Sequence, residues 1–585
     1  MIHFLKLILP AVMLLGGSSI SLAENVIEVP LCAGDATKTL QAAIDKAASY
    51  NGKPVTIKLM PGNYDISRAE SSAHLYHVSN TTSEDENQDR TKHIGLWMRG
   101  VDNLTIDGGG ACFVTHGEMT SFVIDGCRNV TLKNFTLTAA DPSVPEFKVL
   151  WVGNGSFTAE ITEPSQFEID DEGKFYFIGE GWKLEENGAN GAQPIRSVQV
   201  FYPDRNVTGR CDSPLRGYRS ARQIGDRVVQ FFYDDVRFVN PGEVYQLRHT
   251  IRNEVAALIC NSKDVRLENL ELNFIGNFGL VGQFTENITY DNIRCRPRIG
   301  SARTDAGFAD FVQMSGCRGK LKIVNSYFEG AHDDPINIHG THLKTVSSEA
   351  GNKLTVRYMH GQSFGFTPFF KGDEVELVDR HTLNAVSSAK VKDVRRIDDY
   401  NYELTLDRIL PGLPAGYSLD DLAVENVTWT PEVEIRNNYF SRTPTRGILI
   451  TTRGKSVIAD NTFFRIPMPA ILVSDDARGW WESGPVHDLT ITNNLFIECS
   501  SPAICVSPEI DRFDKPVHKN IVIEGNRFIT DRGNVINVKA SENVTVKNNV
   551  FDVPAASSLT MEDMIGQENT SNLKVEGNHF VTTPK

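Results

Sequence analysis

Apolar residues alternate with polar ones in short runs along this chain, and each run closes on an Asn or a Gly. The pattern reads Val130-Thr-Leu132-Lys-Asn134, Val265-Arg-Leu267-Glu-Asn269, Ile288-Thr-Tyr290-Asp-Asn292 and Leu321-Lys-Ile323-Val-Asn325. After a gap it resumes at Val433-Glu-Ile435-Arg-Asn437, Val457-Ile-Ala459-Asp-Asn461 and Leu489-Thr-Ile491-Thr-Asn493. It ends with Ile521-Val-Ile523-Glu-Gly525, Val544-Thr-Val546-Lys-Asn548 and Leu573-Lys-Val575-Glu-Gly577. Period-2 alternation makes each run a strand with one buried face, and the closing Asn or Gly tolerates the left-handed bend that turns the chain. Starts from Val265 to Leu321, and again from Val433 to Leu573, fall 23 to 33 residues apart, the signature of a solenoid. Strands so short, with no long helices between them, predict an all-β fold, a right-handed parallel β-helix. In it the Asn positions stack as an internal amide ladder, and Phe328, Phe440, Phe496, Phe528, Phe551 and Phe580 as an aromatic one.

Ahead of the repeats, Leu40, Ala43, Ile44 and Ala47 follow helical spacing, so residues 37–50 read as an amphipathic helix stopped by Asn51-Gly52. Such a helix caps the otherwise open end of a solenoid. Two blocks lack the repeat. Residues 143–250 and 343–430 carry alternating stretches such as Phe175–Ile178, Asp373–Val378 and Tyr402–Leu406, and read as small antiparallel, barrel-like β insertions. The chain therefore divides into a leader (1–23), a capped N-terminal part of the β-helix (24–142), the first insertion (143–250), a central part (251–342), the second insertion (343–430) and a C-terminal part (431–585).

The 585 residues include 59 Lys and Arg against 74 Asp and Glu, a net charge of −15. An acidic chain offers no electrostatic attraction to phosphate backbones, so nucleic acid is not an expected partner. Lys6, the apolar run Leu7–Leu15 and the small-residue site Ser21-Leu22-Ala23 read as an export signal, with the mature chain starting near Glu24 in the periplasm or outside the cell. No later stretch is long and apolar enough to span a membrane. The nine cysteines form no CxxC; Cys112/Cys127 and Cys499/Cys505 are near enough in sequence to pair, but small buried apolar residues are the favoured reading.

Chemistry concentrates in Arg303-Thr-Asp305-Ala-Gly-Phe-Ala-Asp310 and Ala331-His332-Asp333-Asp334-Pro-Ile-Asn337-Ile-His339-Gly340. Asp310 and Asp334 are 24 residues apart, about one coil, which stacks them on adjacent rungs. Asp333 joins them in one cleft only if the chain bends there, and Pro335 favours a bend. Close like charges raise at least one pKa, giving a protonated acid beside ionised bases, which is what glycoside hydrolysis requires. The bland alternatives are a solvated acidic turn or a calcium site.

The acidic trio on a β-helix resembles that of polygalacturonase-type hydrolases. Nearly the whole chain, with its cap at Asp35–Tyr64, the AHDDPINIHG segment at 331–340 and the two insertions, resembles glycoside hydrolase family 110 more specifically. These are exo-acting α-1,3-galactosidases that remove terminal galactose from blood-group-B-type glycans. The resemblance implies hydrolysis with inversion and without metal or other cofactor. It implies Asp333 as the general acid, with Asp310 and Asp334 holding the water. Spacing alone leaves acid and base exchangeable, and leaves Asp305, 28 residues before Asp333, as an alternative upstream carboxylate.

Around the trio, Trp480, Trp481 and Glu482 suit a sugar platform and a hydroxyl partner. His332 and His339 flank the Asp pair and are candidates for sugar hydroxyls, Arg303 for orienting Asp310, and Asn277-Phe278 for lining the cleft. HExxH, Gly-rich phosphate loops and a credible GxSxG are missing. A β-helix polysaccharide lyase is the first rival, although lyases want a basic catalytic residue; a non-catalytic glycan-binding adhesin is the second. Oligomeric state and the choice between branched and linear substrates are not legible in the sequence.

Overall fold

The computed structural model describes residues 25–235, 239–410 and 418–583, so the expected leader at 1–23 lies outside the described residues. Parallel strands coil into a three-sided helix. One full coil runs through Arg318–Val324, Tyr327–Glu329 and Ile336–Thr341, and the next through Glu432–Arg436, Tyr439–Ser441 and Ile448–Ile450. Their register is direct: Leu321 pairs with Val433, Phe328 with Phe440, Ile336 with Ile448. Two of the faces form a 21-stranded sheet because early strands such as Lys263–Leu272 run round the corner, at Asn269 with φ 54°. The third face is a 13-stranded sheet.

The corner residues adopt the left-handed conformation that the pattern predicts, as at Asn292, Asn325, Asn437 and Asn493 (φ 55–57°). These side chains are not the internal ladder, however. The buried ladder is built by the following residue: the amide Oδ1 atoms of Asn461, Asn494, Asn526, Asn549 and Asn578 each accept the Nδ2–H of the rung before, at 2.9–3.0 Å. The unit expected at Val457–Asn461 is slipped by one residue. Ser456 occupies the place of Val433, Ile458 points inward, Asp460 takes the left-handed corner (φ 57°), and Asn461 belongs to the buried ladder. A polar residue at the inward position hid the register, and a one-residue slip exchanges the two faces. Beside the amides, the rings of Phe440, Phe463, Phe496 and Phe528 stack at centroid distances of 4.7–5.0 Å.

A helix over Thr37–Ala48 buries Leu40, Ala43, Ile44 and Ala47 against the first coils, and Asn51 and Gly52 follow it with positive φ. The first insertion is barrel-like without closing: a seven-stranded sheet including Val207–Cys211 and Val244–Arg248, with a four-stranded sheet beside it, round a core rich in Phe. The second is a closed six-stranded barrel, into whose core the β-helix sends Phe284. All nine cysteines are free thiols, so neither candidate pair is bridged. Among the described residues no helix is long and apolar enough to cross a membrane.

Candidate active site

Strand register places the acids. Val312 pairs with Ile336 and Ile336 with Ile448, so the residues two places earlier, Asp310, Asp334 and Arg446, follow one another up the same edge of the third face. Pro335 accepts the N–H of Val312 through its carbonyl (3.0 Å), which ties the two acidic turns together. The turn that the Asp pair needs is present, and Asp310, Asp333 and Asp334 line one cavity of about 220 Å³ with Asn80, Arg210, Arg252, Asn337, Arg446, Trp480 and Glu482.

Asp334 is clamped from the next rung. The backbone N–H of Arg446 donates to Oδ1 (3.1 Å) and its guanidinium to Oδ2 (2.9 Å). Asp333 faces a guanidinium from the first insertion, Arg210 Nη2, at 3.3 Å, while Thr443 donates its hydroxyl to the Asp333 carbonyl (3.0 Å). Burial, then Asp333 and Asp334, push the Asp310 carboxyl well above its ordinary range. Burial and Asp334 raise Asp333 as well, against the opposing charge of Arg210. Among the described residues four carboxyls and three guanidiniums line this cavity, and Asp310 and Asp333 each raise the cost of ionising the other.

Glu482 arrives on a returning loop whose end pairs antiparallel with Gly340–Thr341. Its Oε1 accepts from Asn80 Nδ2 (3.0 Å) and Asn337 Nδ2 (3.3 Å). Behind it, His339 donates from Nδ1 to the Gly340 carbonyl and accepts from Gln313 at Nε2, both at 2.6 Å.

The other sequence candidates are placed elsewhere. Arg303 and Asp305 do not line the cavity: Arg303 pairs with Asp305 and with Glu146 (3.3 Å), and Glu146 also accepts the N–H groups of Thr304 and Asp305. Burial pushes the Asp305 carboxyl well up, and the buried cluster docks the first insertion on the coil carrying the site. His332 is buried and neutral, its Nδ1 accepting from Arg248 Nε (3.2 Å). His339 lies outside the lining, its Nε2 3.5 Å from Glu482 Oε1. Trp481 is buried under the Arg380 guanidinium (4.5 Å), and only Trp480 reaches the cavity. Asn277 and Phe278 are buried; Phe278 lies beneath Arg252 (4.8 Å). Arg210, Arg252, Arg446, Asn80 and Asn337 were not foreseen. A signal for Arg446 existed: the repeat steps 112 residues from Leu321 to Val433, and the same step from Asp334 lands on Arg446.

The fold and site together define the chain as a parallel β-helix protein with a small pocket lined by four carboxyls. Comparison with known proteins agrees. The family description GLAA-B beta-barrel domain II matches residues 353–415, and that of the right handed beta helix region matches 418–551. Alpha-1,3-galactosidase A of Bacteroides thetaiotaomicron is 44% identical over 517 residues, covering 88% of this chain and 89% of that one. Alpha-1,3-galactosidase B of the same organism is 30% identical over 519 residues, covering 84% and 80%. Among solved structures, the family 28 exopolygalacturonase of Yersinia enterocolitica aligns at 10% identity and TM-score 0.41, covering 95% of this chain and 79% of that one. The chain belongs to the α-1,3-galactosidase family, glycoside hydrolase family 110.

Proposed function

We propose that the protein is an exo-acting α-galactosidase that removes terminal, non-reducing α-1,3-linked galactose from blood-group-B-type glycans, and from linear Gal-α-1,3-Gal as a second substrate, with inversion. The observation that carries the reading is the register that stacks Asp310 under Asp334 and brings Asp333 into the same cavity. At about 220 Å³ the cavity is smaller than sites for drug-sized ligands and suits one terminal sugar, as exo action requires.

Exposure supports the division of labour. The side chain of Asp333 is 30% exposed and that of Asp334 only 5%. With galactose seated in the pocket, the bond to be cut lies at the mouth, so the proton for the leaving oxygen comes from Asp333. Asp310 and Asp334 lie deeper and hold the water that attacks the anomeric carbon from the opposite face, with Arg446 fixing the Asp334 carboxylate. Inversion needs acid and base about 6.5–9.5 Å apart, leaving room for that water. Export through the 1–23 leader is part of the proposal, and its check is an N-terminus near Glu24 on the mature protein.

Incubation with blood group B trisaccharide and with α-1,3-galactobiose, followed by proton NMR, tests the reading. β-Galactose appears first if it holds. Initial α-galactose overturns inversion, and no release from either sugar overturns the activity. An unsaturated product absorbing in the ultraviolet indicates a lyase instead. Asp333→Asn loses about 10²–10⁴-fold in turnover while still binding galactose.

A further inference from the structure

The cavity that holds the acids has one aromatic wall, Trp480, which stands at the rim with the exposed Arg210 and not among the buried groups of the floor. Asn80, Asp310, Asp334, Asn337 and Glu482 are all buried, whereas Trp480 is 50% exposed. Its loop is fixed at the base: the Asp476 carboxylate accepts the N–H groups of Arg478 (2.7 Å), Gly479 (3.0 Å), Trp480 and Trp481 (3.2 Å). The indole is braced by His360, a residue of the second insertion, at a centroid distance of 4.5 Å. His360 in turn accepts the Gln362 N–H (3.4 Å), and Gln362 Oε1 accepts from Arg252 (2.6 Å), so the rim is one connected unit. A large ring held rigidly and left half in solvent binds an apolar sugar face at little entropic cost.

We infer that the Trp480–His360 pair is the platform for the sugar on the reducing side of the cleaved bond, which stacks by its C–H face outside the pocket. The inference rests on the galactosidase reading. A pocket for one ring leaves the second ring at the rim, beside the more exposed carboxyl, Asp333, and there Trp480 is the aromatic surface. Trp480 then selects the acceptor sugar, not the galactose.

The test compares a substrate that has this second ring with one that lacks it. For Trp480→Ala, kcat/KM on α-1,3-galactobiose falls about tenfold or more. On α-galactosyl fluoride, whose leaving group is a single atom, it falls much less, and the inhibition constant of free galactose stays within about twofold. Trp480→Phe, which keeps a ring, retains most of the rate on the disaccharide. Equal losses on both substrates, or galactose inhibition weakened in step with them, place the indole against galactose and overturn the inference. An unaltered protein that hydrolyses neither substrate overturns the galactosidase reading beneath it.

Discussion

Replacing Arg210 with Gln removes the guanidinium that the first insertion brings to 3.3 Å from the carboxylate of the proposed general acid. A full pair of charges at 3.3 Å is worth about 1.3 kcal/mol in bulk water and about 5 kcal/mol at an effective dielectric of 20. The Arg210 side chain is 55% exposed, so screening holds the interaction near the lower figure. About 1.4 kcal/mol corresponds to one pH unit. The sign follows from the role. Arg210 favours the Asp333 carboxylate and so opposes the upward push of burial and Asp334. Without it the Asp333 pKa rises, the protonated acid persists to higher pH, and the basic limb of kcat/KM moves up by about one unit. The assay is the pH profile of kcat/KM on α-1,3-galactobiose for wild type and Arg210→Gln. Any loss of substrate contact lowers the plateau without moving the limb, so the two effects separate. A basic limb that stays in place, or moves down, refutes the assignment of Asp333 as an acid tuned from the insertion.

Three further outcomes follow from the same structure. Asn494→Ala leaves the Ile458 carbonyl, the Asn461 N–H and one Asn461 amide hydrogen buried without partners, at about 1–3 kcal/mol each, and urea unfolding should show a loss of about 3 kcal/mol or more. Glu146→Gln breaks the buried peg with Arg303, Thr304 and Asp305 and costs about 3–5 kcal/mol in the same assay, with weaker docking of the first insertion visible as faster proteolysis within 143–250. His381 of the barrel sits between Asp511 of the β-helix and Asp421 at 3.1 Å each, and their hydrogen bonds raise its pKa. Its contribution is full below the unfolded value of about 6.5 and fades as pH rises through the folded one. The gap in Tm between wild type and His381→Gln should therefore be wide at acid pH and narrow at alkaline pH; a gap that widens with pH refutes the clamp.

Much of this protein is written locally. Alternation, a corner Asn or Gly and a recurring Phe specify a coil, and because every coil obeys the same geometry, adjacent rungs can be counted. Counting one coil from Asp310 reached Asp334, and both stand at the site. Where a local rule was broken the reading failed: Ser456 at an inward position displaced the unit at 457–461, and the buried amide ladder fell one residue beyond the Asn residues that mark the corners. The aromatic pair at 480–481 looked alike in sequence, yet Trp480 faces the cavity and Trp481 lies beneath Arg380.

What only the tertiary structure decided is the charge balance of the pocket. Arg210 comes from the first insertion, Arg252 from the segment after it, Asn80 from a loop near the N-terminus and Glu482 from a loop returning antiparallel to Gly340–Thr341. Their separations in sequence carry no periodicity, so no spacing could bring them together. The same holds in reverse for Arg303 and Asp305, close in sequence to Asp310 but turned inward to hold Glu146 of an insertion folded onto that coil. Neighbours along a solenoid are set by hydrogen-bond register, which a sequence states directly. Neighbours across inserted domains are set by how two finished surfaces pack, and that exists only once both have folded.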